Sequence, residues 1–427
     1  MRVLVISNLF PPHHIGGYEL GCEEVVHGLC SRGSDVAVLT SWYGLGCPAT
    51  EAGVYRWLRA NVGSYATGGA SQALSLVRTE AVNRAAFRRA VAQHSPDIAY
   101  FWSLRYVSAA MVREAHRCGL PSASFIFDDW LATIEESDAW CRWTRSTPQR
   151  PLRRLTKSVL KDAVLRLWPD SVAATTSLHC QFASRFLKEQ AIAAGKAAAE
   201  SPVIHWGVDE ARFPAGHTRT GGATRLLFVG QVVPHKGVHT AVAAVRELVT
   251  VHGWGRVELD IVGGSTNPGY LSDLTDLARS LGIGDRVHLR GPAPRGALPE
   301  IYSEHDVLLF PSIWEEPFGI TLLEAMSCGT VVVATGTGGS AEILDDEINA
   351  LIFAKEDAAA CARQVDRIFR DEGFAAALRA NALATVRQRF RLDRTMDRIE
   401  EHLQAVLAGA RGGLRGGRHA AGDRHVG

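Results

Sequence analysis

"VLLFPSIWEEPFGITLLEAMSCGTVVVAT", Val307 to Thr335, changes its apolar spacing twice. It opens with an unbroken apolar run, breaks at Pro311, and resumes at helical spacing over 320–328. Gly329 closes that stretch, and "TVVVAT" (330–335) is apolar without interruption. Unbroken apolar runs flanking an amphipathic helix read as strand, helix, strand, with the strands buried on both faces of a parallel sheet.

The same alternation extends in both directions. Strands are expected at "TRLLFVG" (224–230), "VELDIVGG" (257–264), "RVHLRG" (286–291), "DVLLFPS" (306–312), "TVVVAT" and "ALIF" (350–353). Helices are expected over 238–250, 270–281, 320–328, 340–345 and 357–371. An earlier series has strands "RVLVIS" (2–7), "DVAVLT" (35–40), "DIAYFW" (97–102), "SASFIF" (122–127) and "SVAATT" (171–176), and a helix through "YELGCEEVVHGLCSRG" (18–33). The pattern predicts two doubly wound parallel α/β domains joined near 205–222, with boundaries 1–206 and 207–385. Ligands of such sheets bind beyond the carboxyl ends of the strands, so a cleft between the two domains is the expected site. A C-terminal helix, 386–408, is expected to pack back on the first domain, within a helical stretch of 374–408. The Gly- and Arg-rich tail 409–427 has too little apolar content to offset its ordering entropy and is expected to be disordered.

With 46 basic and 45 acidic residues, the net charge of +1 offers no bulk field for nucleic acid. The eight cysteines are scattered, form no CxxC pair, and read as mostly buried, reduced thiols. No signal peptide and no apolar run long enough to span a bilayer is visible, which reads as a cytoplasmic protein. The segment 152–168 is a basic amphipathic helix, with Arg153, Lys157 and Lys161 on one face. It reads either as a solvated face over a core or as a peripheral contact with an anionic inner membrane face.

The chemistry-bearing residues sit at the ends of these strands. Gly230 and Lys236 follow a strand, where backbone can approach a ligand and an ammonium can meet phosphate; a tight turn with a surface lysine is the plainer alternative. Gly16 and Gly17 open a helix, whose N-terminal N–H groups favour anions. Phe318 and Gly319 lead into the helix at 320, and its N–H groups can hold a pyrophosphate. Glu316, just before it, can accept from sugar hydroxyls or be a solvated loop carboxylate. Glu324 can take a ribose diol, or close a capping box with Thr321. Asp128 and Asp129 stand where they can cap the following helix. Trp130, Trp140 and Trp143, among carboxylates, suit sugar faces or a packed lid.

In these motifs the chain resembles retaining glycosyltransferases of the GT-B fold, glycosyltransferase family 4. The resemblance covers about 1–400 and is strongest over 224–355. Its E-x7-E motif stands as Glu316 to Glu324, "FVGQVVPHKGV" matches its glycine-loop and lysine element, and "IGGYE" its early glycines. The resemblance implies an acceptor-side domain followed by a donor-binding domain. It implies transfer from a nucleoside diphosphate sugar with retention of configuration, and no metal or cofactor. Glu316, Lys236 and Asp128 would be catalytic. Gly16, Gly17, Gly230, Gln231, Lys236, Glu316, Phe318, Gly319, Ile320, Thr321, Leu322 and Glu324 would bind the donor, and Asp129 and Trp130 the acceptor. The acceptor is not identified by the resemblance; the basic segment 152–168 suggests a lipid-linked one, with a polysaccharide as the alternative. Two residues depart from the family: Gln231 replaces a common arginine and Phe127 a common histidine. They motivate two alternatives: a nucleotide-sugar binding protein without turnover, or a GT-B enzyme acting on the donor, such as an epimerase.

Overall fold

The structure, a computed structural model, describes residues 1–60, 70–145, 173–216 and 224–420. The basic segment 152–168 lies outside them. The chain divides into two compact units: Met1–Ile204 with the chain from Met396 onward, and His205–Thr395.

The first unit is built on a seven-stranded sheet of β1 (Arg2–Ile6), β2 (Asp35–Ser41), β3 (Ala49–Glu51), β4 (Val54–Leu58), β5 (Ile98–Phe101), β6 (Ser122–Ile126) and β7 (His179–Phe182). The order is β3-β4-β2-β1-β5-β6-β7, parallel except for the β3–β4 hairpin. Val3, Leu4, Val5 and Ile6 are fully buried, as a strand covered on both faces requires.

Four expectations change here. The segment 171–176 is not a strand: Ala173–Ser177 is a 3₁₀ turn and β7 lies just beyond it, where Cys180 and Phe182 supply the buried side chains that Ala-Ala-Thr-Thr lacks. Strands β3 and β4 and the long helix Ala70–His94 were not anticipated. The stretch 374–408 is two helices, Glu372–Arg389 and Leu392–Ala420, because Arg391 pairs with Val208 and Gly207 crowds its carbonyl. Finally, the tail expected to be disordered from 409 is helix through Ala420, continuing the helix that starts at Leu392.

The second unit has a six-stranded, all-parallel sheet: β8 (Thr224–Val229), β9 (Val257–Val262), β10 (Val287–Gly291), β11 (Val307–Phe310), β12 (Val331–Ala334) and β13 (Leu351–Ile352). Its order is β10-β9-β8-β11-β12-β13. The helices Val238–Thr250 and Ile320–Cys328 have the expected bounds. The helix expected at 340–345 is a 3₁₀ turn, Gly338–Glu342, with Gly338 in left-handed backbone. Leu226, Phe228, Val242, Val245, Leu259 and Val333 anchor its core.

Of the eight thiols, Cys22, Cys180, Cys328 and Cys361 are buried, while Cys30, Cys47 and Cys118 are exposed, fewer buried than expected. Among the described residues no helix is long and apolar enough to cross a membrane.

Candidate active site

In the second unit the strand order reverses between β8 and β11. Loops leaving two such strands diverge and open a crevice at the carboxyl end of the sheet. Those two loops carry Gly230, Gln231 and Lys236 on one side and Glu316, Phe318 and Gly319 on the other.

Close backbone contacts hold the two loops in register. Gly237 has φ +68°, and a Cβ there would lie 1.9 Å from the Pro311 carbonyl oxygen. Only glycine fits that approach. Beside it, the Ile313 N–H donates to the His235 carbonyl at 3.0 Å. A third segment supports Glu316 from below. Gly338, at φ +53°, places its Cα where a Cβ would be 2.5 Å from the Glu316 carbonyl oxygen, and the Gly339 N–H donates to that oxygen.

The result is a part-buried ion pair. Lys236 Nζ donates to both Oε1 and Oε2 of Glu316, each at 2.8 Å. Glu316 is only 4% exposed, so it is not a solvated loop carboxylate. A carboxylate this enclosed is tolerated because the ammonium compensates it. The lysine expected on phosphate and the glutamate expected on sugar thus hold each other. Gly319, at φ +123°, is the N-cap of Ile320–Cys328, with Ile320, Thr321 and Leu322 forming the first turn. The Leu322 N–H is already taken by the Gly319 carbonyl at 3.1 Å, while the N–H groups before it have no intrahelical partner, so the start of this turn presents donors beside the pair. Phe318 is buried and stacks on His205, ring centroids 5.7 Å apart.

Glu324 does not close a capping box, since Gly319, not Thr321, is the cap. It is 2% exposed, accepts from the Tyr302 hydroxyl at 3.0 Å, and pairs with Arg295 at 3.0 Å. Each carboxylate oxygen has two acceptor positions, so a diol can be added to these bonds. Burial, and then the Glu324 charge, push the Tyr302 phenol well above its ordinary range, so it stays a donor. His235 is held below the usual imidazole range by desolvation and by Lys236.

In the first unit the order reverses at β1 and β5. Gly16 caps the helix Gly17–Ser31, and its N–H donates to Glu19 at 3.1 Å. The anion favoured by that helix start is therefore supplied by the chain itself. Beyond β6, Asp128 accepts from the Trp130 N–H at 2.9 Å, and Asp129 pairs with Arg105 at 2.6 Å. Arg105 also lies 3.7 Å from Asp128. Burial pushes the Asp128 carboxyl up to about 6, with Arg105 opposing. Trp130 is 1% exposed, so its ring is core rather than a platform for an acceptor; Trp143 is likewise buried. Phe127 stacks on Phe125 at 5.7 Å, an apolar role that a histidine would fill poorly.

The sequence reading missed Arg105, Arg295, Tyr302 and Gly338 as site supports. Arg295 and Tyr302 lie 29 and 22 residues before Glu324 and show no spacing signal; "GTGGS" (336–340) was visible, since three glycines after a strand mark a close backbone approach. Among the described residues no group of three His, Cys, Asp or Glu side chains is arranged to hold a metal ion.

Two doubly wound parallel α/β units in one chain are the architecture of the GT-B fold. Known proteins agree. Residues 209–385 match the family model described as Glycosyl transferases group 1. An uncharacterized glycosyltransferase of Methanocaldococcus jannaschii is 24% identical over 92% of this chain and 95% of its own. A D-inositol 3-phosphate glycosyltransferase of Actinosynnema mirum is 33% identical, over 46% of this chain; the match spans half its length. The fold of an Anabaena protein, HepE, solved with UDP-glucose, superposes with a TM-score of 0.69 at 19% identity, covering 95% of this chain and all of that one. Together these findings show the GT-B fold and a likeness of residues 209–385 to the group 1 glycosyl transferases.

Proposed function

We propose that the protein moves a sugar from a nucleoside diphosphate sugar to an acceptor hydroxyl, with retention of configuration and without a metal. The Lys236–Glu316 pair beside the helix start at Gly319 carries this reading. When the donor enters, its pyrophosphate takes Lys236 and the N–H groups of Ile320 and Thr321. Glu316 is released to accept from the sugar hydroxyls, and Glu324 accepts the ribose diol beside Tyr302 and Arg295. The acceptor oxygen then bonds to the anomeric carbon on the face from which the phosphate departs. The bond to phosphate breaks, and the acceptor's proton passes to the departing phosphate oxygen. Lysine and helix N–H groups balance the growing charge on the diphosphate, a task worth ~3–4 kcal/mol per well-placed donor.

UDP-glucose is the first donor to test, because a fold neighbour holds it. Nucleotide release and the anomer of the product are followed by NMR, with and without chelator. An inverted anomer or full loss with chelator sinks the retaining, metal-free reading. Glu316→Ala is expected to lose about 1.5–3 kcal/mol, the value of a hydrogen bond to a charged group. The same reading places the enzyme in the cytoplasm, with an anionic membrane contacted through 152–168. Salt-sensitive sedimentation with anionic vesicles supports that contact, and its absence removes it.

A further inference from the structure

The chain from Glu316 to Gly319 carries the carboxylate and the helix start of the site, and one imidazole reaches both ends of it. His205 is the first residue of the second unit. Its ring lies almost flat on that of Phe318, centroids 5.7 Å apart and planes 15° from parallel. Phe318 immediately precedes the helix cap, Gly319. Phe390 completes the group of rings, 5.7 Å from His205 and 6.1 Å from Phe318, and both phenylalanines are 1% exposed. The edge of the imidazole faces a different partner. His205 Nε2 lies 2.8 Å from Glu342 Oε2. A carboxylate only accepts, so Nε2 is the donor. Glu342 ends the 3₁₀ turn Gly338–Glu342. The start of that turn supports Glu316, whose carbonyl accepts from the Gly339 N–H at 2.6 Å. The His205 backbone is fixed as well, its carbonyl accepting from the Thr395 hydroxyl at 2.9 Å.

The two contacts ask different things of one side chain. Lying against a phenyl ring needs a flat face, and satisfying an enclosed carboxylate needs an N–H at the rim; the Glu342 side chain is only 9% exposed. Phenylalanine supplies only the first and glutamine only the second, whereas imidazole supplies both. We propose that His205 is a positioning residue for the donor: it clamps Phe318 to the turn beneath Glu316, and so holds the Glu316 carboxylate and the N–H groups of Ile320 and Thr321 in one geometry. What that geometry binds rests on the transferase reading. Small displacements matter here, since a shift of about 1 Å can cost ~10²-fold even when its cause is remote from the reacting atoms.

Hydrogen exchange and calorimetry on the full chain test the clamp. In the free protein, His205→Ala should speed amide exchange about tenfold in peptides covering 316–322 and 338–342, and leave β9 and β12 unchanged. UDP-glucose, UDP, GDP and ADP are the calorimetric probes. The one that wild type binds should bind about tenfold more weakly to His205→Ala. His205→Phe, which keeps the ring contact, and His205→Gln, which keeps a donor for Glu342, should each fall between. Glu342→Ala should weaken binding less in the His205→Ala background than in wild type, because the two residues act as one unit. A residue that serves folding alone would lower the thermal midpoint and leave the exchange pattern and Kd of the folded protein as they were. That result, or full binding by His205→Phe, overturns the clamp. Nucleotide binding that His205→Ala leaves unchanged sinks the clamp and keeps the donor reading. Faster exchange confined to the two segments, in a protein that binds none of the four probes, supports the clamp and sinks the donor reading.

Discussion

The two sheets place functional residues by opposite means. In the second unit, glycines bring backbone against backbone: Gly237 against Pro311, and Gly338 beneath Glu316. The side chains that result are rigidly placed and already paired, as Lys236 with Glu316. In the first unit, longer loops are held by side chains: Arg105 ties Asp128 and Asp129, and Tyr106 accepts a left-handed backbone without being glycine. On the proposed reading, one half is a fixed receptacle for an invariant chemical group, a diphosphate. The other is built from adaptable parts, as a surface for varied partners would be.

If that contrast holds, the largest single loss comes from the fixed half. Lys236→Ala should lower transfer by ~3–4 kcal/mol, a factor of about 10² to 10³ in kcat. An effect below tenfold would mean that the helix start holds the diphosphate unaided. Next comes Gly338→Ala. Left-handed backbone on a non-glycine residue costs about 1–3 kcal/mol, before the clash with Glu316 is counted. Thermal unfolding should fall by at least several degrees, and an unchanged midpoint would show that the segment is free to shift.

Glu316→Gln sets binding against turnover. Removing the carboxylate frees Lys236, so the nucleoside diphosphate should bind about tenfold tighter, equivalent to ~1.4 kcal/mol, while transfer falls. Equal or weaker binding by calorimetry would show that the ion pair does not compete with phosphate. Asp128 tests the adaptable half through pH. If its ionised form orients the acceptor, transfer should rise tenfold per pH unit up to about 6 and then level. In Asp128→Asn that rise should vanish, and a profile identical to wild type removes Asp128 from the site. The smallest change is Tyr302→Phe, which deletes one hydrogen bond to Glu324 and should weaken donor binding by about 0.5–1.5 kcal/mol.

The same contrast explains what could be read in advance. Buried parallel strands are apolar along their whole length, so β8, β11 and β12 and the helix between the last two stood out within a residue or two. The places of Lys236, Glu316 and Gly319 just beyond β8 and β11 were legible because the apolar runs before them mark the strand ends. What escaped was set by tertiary contact. Thr321-x-x-Glu324 matches a capping box letter for letter, yet Gly319 takes the cap and Glu324 turns to Tyr302 and Arg295. Arg105 has no local pattern that marks it, and neither does His205, whose partners Phe318, Glu342 and Phe390 are all distant in the chain. Trp130 shows the limit from the other side, because aromatic content alone does not distinguish a core ring from a sugar platform.

The last helix has a consequence for how the chain is made. Met396, Ile399, Leu403 and Val406 are buried, and Gly28 lies where any larger residue would collide with Met396. Arg398 donates to the Val203 carbonyl at 2.7 Å, and His402 lies 3.2 Å from the His179 carbonyl. The unit that includes Met1–Ile204 is therefore finished by residues synthesised after the whole second unit. At ~5–20 residues per second, a ribosome needs roughly 10–40 s to pass from the end of its first segment to the start of its second. During that interval the nascent first unit carries an uncovered apolar face at the helix Gly17–Ser31, a surface for chaperones and an early target for proteases.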